Sequence, residues 1–193
     1  MGMLLAVLAP ISVVNAFVLK IGRGVGIAAI AAMVVAILIQ VVARYVFNNA
    51  LPWPDEAARF CMLWMTGLMA PTAFRRGGFV ALDMISGFMS SRVSAVLSLI
   101  LLLISGLILF VAVQIGWNEV TGFGGRFATA SLYLPTFDGW FRIPRSWMML
   151  SLLVGVFLLL SVNIELILRS IVQMLGGKDR LPIIDMGDMA GAE

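Results

Sequence analysis

Long apolar runs broken by short charge clusters set the organisation of this chain. Gly24 to Ala43 carries no charge and is rich in Ala, Val and Ile. Phe60 to Phe74, Val93 to Asn118 and Ser146 to Ile164 are three further uncharged runs. A membrane-crossing helix needs about 20 mostly apolar residues, so the pattern predicts four spans. The second run is short, and at 1.5 Å per residue its fifteen residues cover only about 22 Å. Its helix is therefore expected to start near Pro54, with Arg59 in the first turns.

Cap signals agree with these limits. Pro52, Trp53, Pro54, Asp55 and Glu56 place proline in a first turn and acids at the positive end of a helix dipole. Arg75, Arg76, Gly77 and Gly78 supply cations and then glycine for the opposite end. Pro144 marks the start of the last helix. The expected layout is a single membrane domain over 1–193. Within it come helices at 24–47, 54–76, 93–118 and 144–168, a loop at 119–143 and a solvated tail at 170–193. Two apolar stretches, 1–22 and 79–91, are read as interfacial. In the second, Asp83, Ser86, Gly87, Ser90 and Ser91 gather near one face at helical spacing. Val14, Asn15 and Ala16 faintly resemble a signal-peptidase site, but no basic residue precedes the apolar run, so cleavage is not expected.

Composition strengthens the membrane reading. Hydrophobic residues make up 62% and charged residues 12%, against about 25% charged in a soluble domain. Such a chain would expose large apolar patches to water. The fold class expected is all-α integral membrane. Lys and Arg set the orientation. Four spans put both termini on one side, together with Lys20, Arg23, Arg75, Arg76, Arg92, Arg169, Lys178 and Arg180. Arg44, Arg59, Arg126, Arg142 and Arg145 fall on the other. Eight against five predicts cytoplasmic termini, and the basic balance is read as topology, not as nucleic-acid binding.

Candidate chemistry is sparse. The chain has no histidine and one cysteine, Cys61, which removes imidazole acid–base chemistry, Cys/His zinc sites and internal disulfides. No enzyme activity, metal or cofactor is expected. A carrier usually holds an ionisable group at mid-membrane, but no charge falls centrally in any of the four runs. Glu165 comes nearest, towards the end of the last. The remaining charges gather at helix ends. Arg44 closes one helix, and Asp55, Glu56 and Arg59 open the next at i,i+4 and i,i+3 spacing. An ion-pair clasp of this hairpin is one reading, and a docking face for a partner is another. Arg75, Arg76 and Asp83 form a second group at the opposite end, where the two arginines also suit lipid phosphate.

Arg44-Tyr45-Val46-Phe47-Asn48, then Leu51, Trp53 and Asp55-Glu56-Ala57-Ala58-Arg59, resemble the signature of the small membrane subunit of TRAP transporters, the Q-type or DctQ-like family. Trp64 and Gly67 continue the likeness, as do Arg75 to Asp83, Leu134-Pro135 and Ile143-Pro144. It covers about residues 12–170. The chain departs from the pattern at Phe79, where histidine is common, and at Asp55, where glutamate is usual. The resemblance implies a large M-type permease of about twelve helices, a periplasmic substrate-binding protein and membrane lipid as partners. It further implies the bacterial inner membrane and sodium-driven, elevator-type uptake of an organic acid. The small subunit would then extend the static scaffold and help dock the binding protein through Arg44, Trp53, Asp55, Glu56 and Arg59. Two alternatives are the small subunit of a tripartite tricarboxylate transporter and a stand-alone homo-oligomeric exporter or channel.

Overall fold

The computed structural model describes residues 2–77, 91–136 and 139–175. Four helices dominate. They are α1 (Gly2–Tyr45), α2 (Trp53–Gly77), α3 (Ser91–Thr121) and α4 (Ser146–Met174). A short 3₁₀ turn, Phe123–Arg126, leads from α3 into strands β1 (Ala128–Thr136) and β2 (Gly139–Pro144). Two expectations change here. The segment 1–22 is continuous with the first helix, and the 119–143 stretch holds an antiparallel hairpin. The expected interfacial segment at 79–91, with Asp83, lies almost wholly outside the described residues, as does the tail beyond 175.

The continuity of α1 has a repeat behind it. Its buried positions are Leu8, Ser12, Asn15, Leu19, Gly22, Gly26, Ala36 and Ala43. From Leu8 to Gly26 they alternate steps of four and three, and 8, 15, 22, 36 and 43 differ by multiples of seven. A seven-residue repeat keeps one seam of a long helix facing its neighbours. Lys20 stands outside that seam and Arg23 is half-buried, so neither charge interrupts the helix. At 1.5 Å per residue α1 is about 66 Å long, roughly twice the hydrocarbon thickness of a bilayer. Past its end at Tyr45, Asn48 turns the chain with a φ of 51°, and the Asn49 amide donates to the Ala43 carbonyl at 3.0 Å. Asn tolerates this left-handed conformation better than most residues.

α2 runs antiparallel to α1 and parallel to α4, and packs against both. Small residues let the backbones approach, the usual basis of helix association in lipid. Gly67 of α2 lies on Ser151 and Gly155 of α4; a Cβ on Gly155 would fall 2.6 Å from the Gly67 Cα. A Cβ on Gly26 would fall 2.8 Å from Met69 Cγ. α3 packs antiparallel on α4, where Gly106 meets Asn163 and Gly116 meets Leu153.

Among the described residues three helices are long and apolar enough to cross a membrane, within Leu4–Tyr45, Val93–Thr121 and Ser146–Met174. α2 is not among them, because Asp55, Glu56 and Arg59 at one end and Arg75 and Arg76 at the other leave only a short uncharged centre. Large apolar side chains are exposed along α1 and α3, among them Phe17, Leu38, Leu107 and Phe110. This is the surface expected when lipid or a membrane partner replaces water.

Candidate functional site

Polar residues gather at two ends of the bundle. At the first, α1, α2 and α4 meet around Glu165, which is 0% exposed. Arg75 of α2 grips it through both carboxylate oxygens, Nη2 to Oε1 at 2.8 Å and Nε to Oε2 at 3.1 Å. Arg169, one turn along α4, donates to Oε1 through Nε at 3.0 Å and Nη2 at 2.9 Å. Asn15 of α1 donates to Oε2 at 2.8 Å. Ser12 closes the cluster from α1: its Oγ accepts from Arg75 at 3.1 Å and from Arg169 at 3.0 Å, and its carbonyl accepts from Arg75 at 3.0 Å. Ser161 Oγ donates to Asn15 Oδ1 at 2.7 Å.

This cluster satisfies the demands of buried charge. Removing an ion from water costs several kcal/mol unless partners and hydrogen bonds fill its remaining sites. The Arg75 fork matches the carboxylate in two parallel bonds, the stronger kind of charge-assisted pair. Five donations reach the two oxygens of Glu165, so the group is spent on joining three helices.

The second end carries most residues singled out in the sequence. Glu56 of α2 accepts from the Ser131 hydroxyl at 2.6 Å and from the Ser131 amide, pinning β1 against the start of α2. Ser131 Oγ also lies 2.8 Å from the Pro52 carbonyl. Trp53, Ser131, Leu132 and Tyr133 line an open depression of about 670 Å³. The hairpin is held at its base by Thr129 Oγ1 donating to the Ile143 carbonyl at 2.7 Å and by the Arg145 amide donating to the Phe127 carbonyl at 2.8 Å. Arg142 stacks on Tyr133, its guanidinium 5.3 Å from the ring centre.

Arg44, Asp55 and Arg59 are exposed. Arg44 lies 6.0 Å from the Tyr45 ring centre, and among the described residues no ion pair involves Arg44, Asp55 or Arg59. The hairpin of α1 and α2 is thus joined by packing and by the Ser12–Arg75 bonds at its far end, rather than by a clasp at the connection. Arg75 is committed to Glu165, whereas Arg76 is half-buried beside it. The roles of Glu165, Arg169, Ser12 and Asn15 were not anticipated. Their signal was polar residues at i,i+3 and i,i+4 spacing on otherwise apolar helices.

The family model described as tripartite ATP-independent periplasmic transporters, DctQ component, matches residues 33–173. The chain belongs to the DctQ family. As a DctQ component it is the small subunit of a TRAP transporter and a multi-pass membrane protein. The family's transporter is tripartite, with a large permease and a periplasmic binding protein beside the DctQ component. The match selects this family over the tripartite tricarboxylate alternative. A search of curated proteins gave no significant match. The matched segment holds both ends of the bundle, including Glu56, Ser131, Arg75 and Glu165, but not Ser12 or Asn15.

Proposed function

We propose that this DctQ component is a rigid frame in a bacterial inner membrane, holding an elevator-type permease during sodium-driven uptake of an organic acid. One observation carries the reading. Glu165, a fully buried carboxylate of the bundle, is saturated by donors from three helices. A group that gripped an ion or solute in each cycle would need free coordination sites; this one works as a fastener. A frame under force from a moving domain benefits from such a joint and from the close Gly67–Gly155 crossing.

In this reading α2 is a fourth span. It lies between α1 and α4 and follows both, and its charged ends flank a short apolar centre. Both termini are cytoplasmic, as the Lys/Arg balance argues. The hairpin end then faces the periplasm. Trp53, Glu56 and Ser131, with exposed Arg44, Asp55 and Arg59, supply a surface on which the loaded binding protein docks. The permease meets an outer face of α1. Ala28, Ala31 and Ala32 are exposed there, while Gly26 and Ala36 are spent inside the bundle.

Reconstitution tests this. Proteoliposomes with permease, this chain and binding protein should accumulate a carboxylate down a sodium gradient, and omission of this chain should abolish uptake. Uptake by this chain alone would replace the frame with a stand-alone carrier.

A further inference from the structure

A cavity of about 280 Å³ lies between α1 and α2, lined by Ala16, Phe17, Leu19, Lys20, Arg23, Thr72, Arg75 and Arg76. Antiparallel packing brings Lys20 and Arg23 of α1 to the same groove as Arg75 and Arg76 of α2.

Arg75 is engaged by Glu165. The remaining three cations are not: Lys20, Arg23 and Arg76 form no ion pair among the described residues. Three donor groups at this wall, Arg23 Nε, Arg76 Nη2 and Thr72 Oγ1, are buried with no hydrogen-bond partner among the described residues. Leaving a buried donor unsatisfied costs about 1–3 kcal/mol, more when it is charged. Three such groups around one cavity, with three uncompensated charges, describe a receptor for an anion that offers several oxygens in different directions.

We propose that this cavity binds the phosphate of an anionic phospholipid. Guanidinium groups match phosphate oxygens in paired bonds, and basic pockets between membrane helices take lipid headgroups. The surroundings favour lipid over free phosphate. Phe17 lines the cavity yet is 66% exposed, and Val13, Val14 and Ile21 continue an exposed apolar strip beside it. Acyl chains can lie on that strip while the headgroup enters the cavity. The proposal needs only that the chain sits in a membrane; it is independent of the transport role.

The full-length chain in mild detergent, examined by native mass spectrometry with dimyristoyl phosphatidylglycerol or phosphatidylcholine, tests it. Phosphatidylglycerol should be retained at least fivefold over phosphatidylcholine. Arg23→Gln with Arg76→Gln should remove most of that preference, whereas Arg59→Gln with Arg126→Gln, an equal charge change elsewhere, should keep it. If the first pair does not fold, as judged by circular dichroism, Thr72→Val is the deciding variant, with a loss of about twofold or more expected from the missing hydroxyl bond. Equal retention of the two lipids, equal effects of the two variant pairs, or no loss in Thr72→Val would overturn the proposal. So would displacement of the lipid by millimolar inorganic phosphate, which would assign the cavity to a free anion.

Discussion

Arg75 and Glu165, ninety residues apart in sequence, meet with Nη2 2.8 Å from Oε1. Their side chains are 9% and 0% exposed. The pair fixes the register of α2 against α4, and Ser12 and Asn15 bring α1 to the same joint. Glu165→Leu would leave Arg75 and Arg169 buried side by side without their anion. Breaking a buried pair in this way costs about 3–5 kcal/mol. The expected outcome is a large fall in thermal stability in detergent and loss of the subunit from the purified complex. Arg169→Leu should cost less, because its ion pair with Glu165 lies within one helix.

The Gly67–Gly155 crossing predicts a sharp size limit. A Cβ on Gly67 would overlap the Ser151 carbonyl, and backbone cannot move aside as a side chain can. Gly67→Val should destabilise by roughly 1–3 kcal/mol, the usual range for overpacking. Gly24, within the same bundle, has nothing within 4 Å of a built Cβ. Gly24→Ala should be neutral, or stabilising by up to about 1 kcal/mol through helix propensity. Thermal unfolding of both variants checks the contrast.

Asn163 offers the opposite sign. It is 0% exposed, and neither its Oδ1 nor its Nδ2 has a hydrogen-bond partner among the described residues. Leucine is close in size and removes two unsatisfied polar atoms. Asn163→Leu should therefore stabilise the isolated subunit by about 1 kcal/mol. Thermal unfolding of the purified subunit in detergent checks this, and a loss of stability would contradict it.

At the hairpin end, Glu56 accepts from Ser131. Glu56→Gln should weaken bonds to a charged acceptor, worth about 1.5–3 kcal/mol when intact, and free β1 from α2. Hydrogen exchange across 128–136 should quicken while α4 is unaffected. If the docking reading holds, binding-protein-dependent uptake should fall further with Glu56→Gln than with Arg59→Ala, because Arg59 is exposed and supports no strand.

Much of this architecture was legible as runs between charges. Val93–Asn118 and Ser146–Ile164 read as apolar spans because nothing charged interrupts them, and both lie within helices. The same rule misled at Lys20 and Arg23, where charge was taken as a boundary although the seven-residue seam of Leu8, Asn15 and Gly22 continues past it. The Glu165 joint was hidden for a different reason. Its partners lie on three helices, and only their register brings Ser12, Arg75 and Glu165 together. The β-hairpin was missed because Pro144 read only as the start of the last helix, although proline is also tolerated at the end of a strand, where it closes β2.

Distances inside the bundle address the frame most directly. Cys61→Ala with spin labels at Ala32 and Phe157, both exposed, reports on the separation of α1 and α4 within the assembled transporter. The account predicts one unchanged distance distribution with and without sodium and substrate, while labels across the permease shift. A substrate-dependent change of several Å between Ala32 and Phe157 would contradict it.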